Sequence, residues 1–229
     1  MNIPVLSDNN TSRSIKISEA MQQHFAVHIN HAYTILEQIN SGMYKEWFEG
    51  KKDLVCMDFG ANVGLVSLYM IPYCKELYCI EPTPRHYNLL GELLEPNKGD
   101  CEINLSVFAL NDKDEEVQFM TAHSTENKIT TTDGYGNDKI TVTGKPLSYF
   151  IQDKIIDFCK IDIESGEMSS LTVDELKKVH GKVKTFFVEV HPGYNGGMDG
   201  NREELIRRFK EAGYRTETKD FQTIVAYES

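Results

Sequence analysis

From residue 18 onward the apolar positions recur at helical spacing. Met21, Phe25, Ile29, Ala32, Leu36 and Ile39 fall on one face and Ser18 is placed to cap the first turn, so one helix is expected over residues 18–39. A second, short helix is expected over residues 43–48. After Gly50-Lys51-Lys52 the pattern changes. LVCMDFG, ELYCIEP, CEINLSVFAL, IIDFCKIDI and KTFFVEVHP are short apolar runs, most of them rich in β-branched or aromatic residues, and read as strands buried on both faces. Helix-patterned segments at 63–73, 84–94, 167–180 and 201–212 lie between them, and alternation of strand with helix makes parallel β-α-β units. The expected fold class is α/β: a Rossmann-like, doubly wound, mostly parallel sheet preceded by an N-terminal helical segment.

Two stretches depart from strict alternation. Residues 116–122 and 139–143 flank a Thr-, Asn- and Gly-rich tip, which suits a β-hairpin insertion near 112–144, after the third strand. Residues 214–218 and 223–227 alternate with period two around a tight Lys219-Asp220 connection, so the sheet should end in a C-terminal antiparallel hairpin. The expected organisation is a helical cap over residues 1–50 and a core over 51–229, with no internal repeat.

Charge narrows the partners. The 229 residues carry a formal net charge of −11, and Lys and Arg never run longer than a pair, so a phosphate backbone would be repelled and no nucleic acid partner is expected. The most apolar stretch, 65–71, is broken by Pro72 and is far short of the roughly 20 residues of a membrane span, so no membrane association is expected. The N-terminal residues lack the basic start and apolar run of a signal peptide. Cys56, Cys74, Cys79, Cys101 and Cys159 form no CxxC pair, which points to a reducing, cytoplasmic setting.

The strongest local signal is Asp58-Phe59-Gly60-Ala61-Asn62-Val63-Gly64, where the first core strand ends and a helix opens, followed by Glu81 at the end of the second strand. Ligands of open α/β sheets sit at the carboxyl ends of strands, glycines let the backbone approach, and an acid about 20 residues on binds ribose hydroxyls. A nucleoside-type cofactor follows. A dinucleotide loop wants glycine at the second and third positions of GxGxxG, where this chain has Asn62 and Leu65, which argues against NAD or FAD. S-adenosylmethionine has a ribose, no phosphate, and an amino-acid tail whose ammonium a carboxylate can meet and whose carboxylate loop amides can meet. Asp58, Gly60, Asn62 and Gly64 supply that chemistry, with Gly64 expected to leave room for the tail.

MDFGANVG, CIEPTP, FALND, FCKIDIESGE and FFVEVHP, in that order over residues 54–192, resemble the FkbM-type methyltransferases, a branch of the class I S-adenosylmethionine-dependent enzymes. The resemblance implies a seven-stranded sheet. It also implies Gly60, Asn62 and Gly64 around the methionine end of the cofactor, Glu81 on the ribose, and Phe108 and Ala109 near the adenine. The chain departs from the family in having Glu164-Ser165-Gly166-Glu167 where Glu-Gly-Ala-Glu is usual, and Val107 where Asn is frequent.

Strand alternation puts Lys160, Asp162 and Glu164 on one face at the mouth where ligands bind. Two readings stand. Asp162 and Glu164 cap the next helix with Lys160 paired to one of them, or Asp162 lies beside the reacting methyl group and orients or deprotonates an acceptor hydroxyl. Glu189 and His191 end the fifth strand, and a neutral imidazole there is a competent base for an alcohol. Asp162 and His191 are thus the candidate catalytic residues, and Asp162 is also a cofactor candidate. The carboxylates could hold a cation, but no calcium-type loop is present and no metal is expected. The glycine-rich residues 193–200 are expected to be a lid or an irregular connection. His24, His28 and His31 line one stripe of the first helix, where a shoulder over the substrate cleft or a dimer contact outweighs zinc.

The expected activity is transfer of a methyl group from S-adenosylmethionine to a hydroxyl oxygen of a saccharide or other small molecule, the oxygen acceptor and saccharide class being implied by the resemblance. The rivals are an NAD-linked oxidoreductase and a catalytically inactive cofactor-binding protein.

Overall fold

The computed structural model describes residues 15–121, 128–129, 138–192 and 198–228. Three helices come first: α1 (Glu19–Val27), α2 (Ile29–Asn40) and α3 (Lys45–Phe48). Alternation then sets in with β1 (Leu54–Phe59), α4 (Leu65–Met70), β2 (Cys74–Ile80), α5 (Pro84–Leu94) and β3 (Glu102–Ser106). The insertion comprises β4 (Ala109–Leu110), β5 (Glu115–Thr121), β6 (Lys128–Ile129) and β7 (Asp138–Lys145). There follow α6 (Leu147–Ile151), β8 (Phe158–Ile161), α7 (Glu167–Ser170), α8 (Val173–Val179), β9 (Thr185–Glu189), α9 (Met198–Glu211), β10 (Tyr214–Thr218) and β11 (Thr223–Glu228).

The main sheet has seven strands in the order β10-β11-β9-β8-β1-β2-β3, parallel except for β11. The C-terminal hairpin is present, but its second strand slips between β9 and β10. Burial explains the order: Ile224, Val225 and Ala226 are fully enclosed, whereas Arg215, Glu217 and Thr218 leave β10 fit for an edge. The insertion pairs β5 with β7 antiparallel as expected and builds a separate four-stranded sheet, order β4-β7-β5-β6. Most of its Thr-, Asn- and Gly-rich tip lies outside the described residues, as do residues 193–197 of the expected lid; residues 198–200 are the first turn of α9.

Three expected elements are divided. The single helix over 18–39 breaks at His28 (φ −112°, ψ 33°), so that α1 lies on α5 while α2 lies on α4. Ser18 does cap α1, accepting the Met21 N–H at 3.1 Å. CEINLSVFAL divides because the chain leaves the main sheet at Val107, which is 43% exposed, and Ala109 joins the small sheet. The segment 167–180 becomes α7 and α8, because Thr172 turns out of the helix to accept the Glu175 N–H at 3.3 Å. The short α6 had no counterpart in the sequence reading.

The N-terminal helices close one apolar face of the sheet. Tyr44 and Trp47 pack on Phe187 with ring centroids 5.0 and 5.3 Å apart, and Phe48 packs on Phe158 at 4.9 Å. All five cysteines are buried and free. No helix of the described residues is long and apolar enough to cross a membrane.

Where α1 meets α5, His24 and His86 are both buried with rings 5.8 Å apart. Burial first, then neighbouring positive groups including Arg85, pull each imidazole down to about 4. Glu81 Oε1, 3.9 Å from His86 Nδ1, is too distant to reverse this. A histidine with a depressed folded pKa leaves the unfolded chain binding more protons between that value and about 6.5, so its stabilising contribution is present above this window and lost as pH falls through it. For His86 the loss is on the order of 2–3 kcal/mol. Urea unfolding between pH 7 and pH 4.5 should show His86→Phe losing less stability on acidification than the parent; equal slopes would reject this account of the α1–α5 contact.

Candidate active site

A cavity opens at the carboxyl ends of β1 and β8, where the strand order reverses between the β1-β2-β3 and β8-β9 halves. The chain leaves β1 through Gly60 (φ +74°), Asn62 (φ +52°) and Gly64 (φ +92°) before α4 begins. A Cβ on Gly60 would lie 1.8 Å from the Asp162 carbonyl oxygen, so glycine is required where the loop crosses the end of β8. A Cβ on Gly64 would lie 2.7 Å from Leu90 Cδ1 and 3.3 Å from Leu94 Cδ2. Here the expectation changes. The bare α-carbon of Gly64 admits the side chains of α5, and the space it keeps open is helix packing rather than room for a ligand.

The loop is held by its own hydrogen bonds. Gly60 and Ala61 N–H both donate to the Ile80 carbonyl, Gly64 N–H donates to the Ala61 carbonyl, and Asn62 N–H donates to Glu81 Oε2 at 2.9 Å. These amides are therefore already used. Glu81 Oε1 accepts the Thr83 N–H at 2.9 Å, so this carboxylate clamps the loop and faces the cavity at once. Burial raises its pKa, against the opposing pull of the Thr83 and Asn62 N–H groups.

Behind the loop sits a buried charge cluster. Asp58 Oδ2 accepts from Ser67 Oγ at 2.6 Å, and Asp58 Oδ1 lies 3.6 Å from Lys160 Nζ. Lys160 in turn donates to Asp162 Oδ2 at 3.0 Å. Burial acts to lower the lysine pKa, and the carboxylates of Asp162 and Asp58 overcome it and raise it. Of the two readings of these carboxylates, the ion pair of the first is realised between Lys160 and Asp162, but its helix cap is not: α7 starts after Gly166 with no side-chain cap hydrogen bond, and Glu164 (φ +54°) lies at the mouth.

Asp58, Gly60, Asn62, Gly64, Glu81, Phe108, Ala109 and Asp162, the eight residues expected around the cofactor, all line this one cavity. Phe108 packs edge-on to Tyr149 at 5.9 Å. His31, Thr34, Ile35 and Gln38 of α2, together with Tyr44, form one wall; of the histidine stripe expected as a shoulder or a dimer contact, His31 lines the cavity while His24 is buried against α5, and Thr34, Ile35, Gln38 and Tyr44 were left without roles in the sequence reading. Their spacing of three and four residues was visible, but nothing in it distinguishes a cavity wall from a solvated shoulder.

His191 does not line the cavity. It stands behind Asp162 and Glu164, with Nε2 3.8 Å from Asp162 Oδ1 and 3.6 Å from Glu164 Oε2, and Nδ1 3.0 Å from Glu167 Oε1. Burial pulls the imidazole down, but the hydrogen bond to Glu167 and the surrounding carboxylates outweigh it and lift the pKa to about 9. The ring expected to be neutral near pH 7 is a cation in these surroundings. Asp162, Glu164 and His191 also bring three potential ligand atoms within 4.8 Å of one another.

The reversed β11 in an otherwise parallel seven-stranded sheet, with a glycine loop after β1 and an acid ending β2, defines the class I S-adenosylmethionine-dependent methyltransferase architecture. The sequence profile of the Methyltransferase FkbM domain matches residues 58–216, and the chain belongs to that family. It is a methyltransferase, with S-adenosylmethionine as its cofactor. Similar solved structures include precorrin-6y C5,15-methyltransferase from Geobacter metallireducens, at 11% identity over 100% of this chain and 98% of that one, with a TM-score of 0.48. Aeropyrum pernix fibrillarin with natively bound S-adenosyl-L-methionine shows 11% identity over 78% of this chain and 67% of that one, TM-score 0.47. Magnesium protoporphyrin IX methyltransferase from Synechocystis shows 10% identity over 93% and 86%, TM-score 0.46. No curated protein matches the chain.

The glycines give a test of the loop. Gly60→Ala should prevent folding, because the obstruction is backbone. Gly64→Ala should fold with a loss of about 1–3 kcal/mol, the left-handed strain adding to contact with the movable end of Leu90. Urea midpoints check both, and a Gly64→Ala protein as stable as the parent would show that α5 does not set this position.

Proposed function

We propose that the chain methylates a hydroxyl oxygen of a saccharide or other small molecule. The observation that carries this reading is the mouth of the cavity, where Asp162, Glu164 and Glu189 gather beside the cofactor residues, with His191 behind them. Carboxylates and an imidazole are the groups that orient an alcohol and handle its proton. A mouth so acidic, on a chain of net charge −11, disfavours a nucleic acid acceptor.

In the transfer, the acceptor oxygen forms its bond to the methyl carbon as the carbon–sulfur bond breaks, the sulfur keeps the electron pair, and S-adenosylhomocysteine leaves as a neutral thioether. The acceptor loses its hydroxyl proton. The protein supplies proximity and in-line alignment. In this reading Asp58, Gly60, Asn62 and Gly64 surround the methionine end, Glu81 accepts from the ribose hydroxyls, and Phe108 and Ala109 flank the adenine. Asp162 orients the acceptor hydroxyl and takes its proton, and the protonated His191 behind it positions that carboxylate. The α2 wall of His31, Thr34 and Gln38 supplies polar groups to the acceptor.

Calorimetry should show S-adenosylmethionine and S-adenosylhomocysteine binding and NAD not binding. Glu81→Ala should weaken S-adenosylhomocysteine about tenfold or more, since it removes the ribose acceptor and releases the Asn62 and Thr83 amides together. A change under about twofold would remove Glu81 from the cofactor site.

Turnover gives the second test, followed as labelled methyl transfer to a panel of hydroxylated acceptors. Asp162→Asn and His191→Ala should each lower it by about 100- to 10,000-fold while S-adenosylhomocysteine affinity stays within a few-fold of the parent. Near-parental rates in both would show alignment alone at work. A cofactor-binding parent with no turnover on any acceptor would return the inactive reading.

A further inference from the structure

We propose that the hydroxyl of Tyr44 and the carboxylate of Glu189 form a subsite for a second, non-reacting hydroxyl of the acceptor, so that the enzyme takes a polyol in preference to a lone alcohol. The proposal rests on the hydroxyl-methylation reading for the reaction and goes beyond it in naming what selects the acceptor. Tyr44 is 1% exposed and lines the cavity, yet its hydroxyl makes no hydrogen bond among the described residues. A buried polar group without a partner is costly, so an enclosed phenol on a cavity wall marks a place that a ligand atom completes. The ring is fixed. It packs on Phe187 and Tyr69 with centroids 5.0 and 6.1 Å apart, just ahead of α3, and Phe187 is the register partner of Lys160. Burial first, and then the carboxylates of Asp162, Glu189 and Asp58, raise the phenol pKa against the pull of Lys160, so the group keeps its proton and donates.

Glu189 supplies the opposite half. It ends β9, lines the same cavity and is 19% exposed on its side chain, and its ion-pair partner among the described residues, His191 Nε2, stands 4.0 Å away, beyond a hydrogen bond. A group that accepts from Tyr44 and donates to Glu189 at once is a hydroxyl. An ammonium has no lone pair for the phenol proton, and a carboxylate has no proton to give and meets Glu189 as a like charge. The placement fits a molecule held twice. Ile161 of β8 and Val188 of β9 are register partners, so Asp162 and Glu189, the residues after them, stand at the ends of neighbouring strands. Such strands run about 4.8 Å apart, a separation that two hydroxyls on one sugar or cyclitol ring bridge. With the reacting hydroxyl on Asp162 and a second on Tyr44 and Glu189, the ring cannot turn about the first contact, and its oxygen stays in line with the methyl group.

The test uses the protein loaded with S-adenosylhomocysteine and four polyol probes, methyl glucopyranoside, methyl galactopyranoside, methyl mannopyranoside and myo-inositol, with cyclohexanol as the single-hydroxyl control. Saturation-transfer NMR reads binding, and labelled methyl transfer from S-adenosylmethionine reads turnover. At least one polyol should bind and react with a kcat/KM about tenfold or more above cyclohexanol. Tyr44→Phe keeps the ring contacts. It should leave S-adenosylhomocysteine affinity within about twofold, raise KM for that polyol about three- to tenfold and leave KM for cyclohexanol unchanged, and Glu189→Gln should shrink the preference in the same direction. Cyclohexanol handled by the parent as well as every polyol, or a preference unchanged in Tyr44→Phe, overturns the subsite and leaves hydroxyl methylation standing. Loss of S-adenosylhomocysteine in Tyr44→Phe assigns the phenol to the cofactor and also overturns it, as does a loaded parent that binds none of the four polyols. Polyol binding that depends on Tyr44 without any methyl transfer keeps the subsite and removes the hydroxyl-methylation reading.

Discussion

A lysine enclosed between two strands organises the molecule. Lys160 sits on β8 directly beside Asp58 on β1, register partners in the centre of the sheet, and is 3% exposed on its side chain. Burying an ammonium costs several kcal/mol unless carboxylates meet it, and here two do, one beside it and one two residues along. A slip of one residue between β1 and β8 would send Lys160 to one face and Asp58 to the other, leaving the buried Asp58 without its cation and Lys160 with Asp162 alone. The pair therefore favours the observed register over that slip. That register is what brings the end of β1 and the end of β8 level at the cavity.

The rest of the site hangs from that alignment. With the strand ends level, the Asp162 carbonyl comes so close to Gly60 that no side chain is possible, and the loop must turn inward over the cavity. Glu81, at the end of β2, then reaches both the Asn62 and the Thr83 amides and fixes the loop's height above the sheet. Asp162 is held by Lys160 on one side and faces His191 on the other, so its carboxylate cannot swing into solvent without breaking a buried pair. Charge and backbone geometry thus enforce the same arrangement.

Elements set by local pattern could be read from the sequence; those set by where the chain leaves a sheet could not. The apolar runs of β1, β2, β8 and β9 and the helix α5 between β2 and β3 are legible because each contains its own periodicity. The break at His28 is not, because the stripe from Met21 to Ile39 continues through it unbroken, and only the need of α1 and α2 to reach different helices divides it. The departure at Val107 is hidden for the same reason: CEINLSVFAL has one apolar pattern shared between two sheets. The convergence of Gly60 and Glu81 on one cavity was legible through their spacing. The place of His191 was not, because it depends on Glu167, the first residue of α7, which carries no signal until β8 and β9 lie side by side.

The N-terminal helices close one side of the cavity. Residues of α2 face the cavity, while Tyr44, Trp47 and Phe48 a turn or two later are sealed against Phe158 and Phe187 of the sheet. Lys219 of the C-terminal connection reaches Glu46 at 2.7 Å and lies 5.0 Å over the Trp47 ring, pinning α3 from outside. A wall anchored in this way is part of the core and does not move as a free flap. Its polar residues, Thr34 and Gln38, line the cavity and can vary because neither is buried, whereas Ala32, Leu36 and Ile39 on the same helix belong to the core and cannot. One helix thereby separates the residues that line the cavity from those that hold the fold, by a rotation of about 100° per residue.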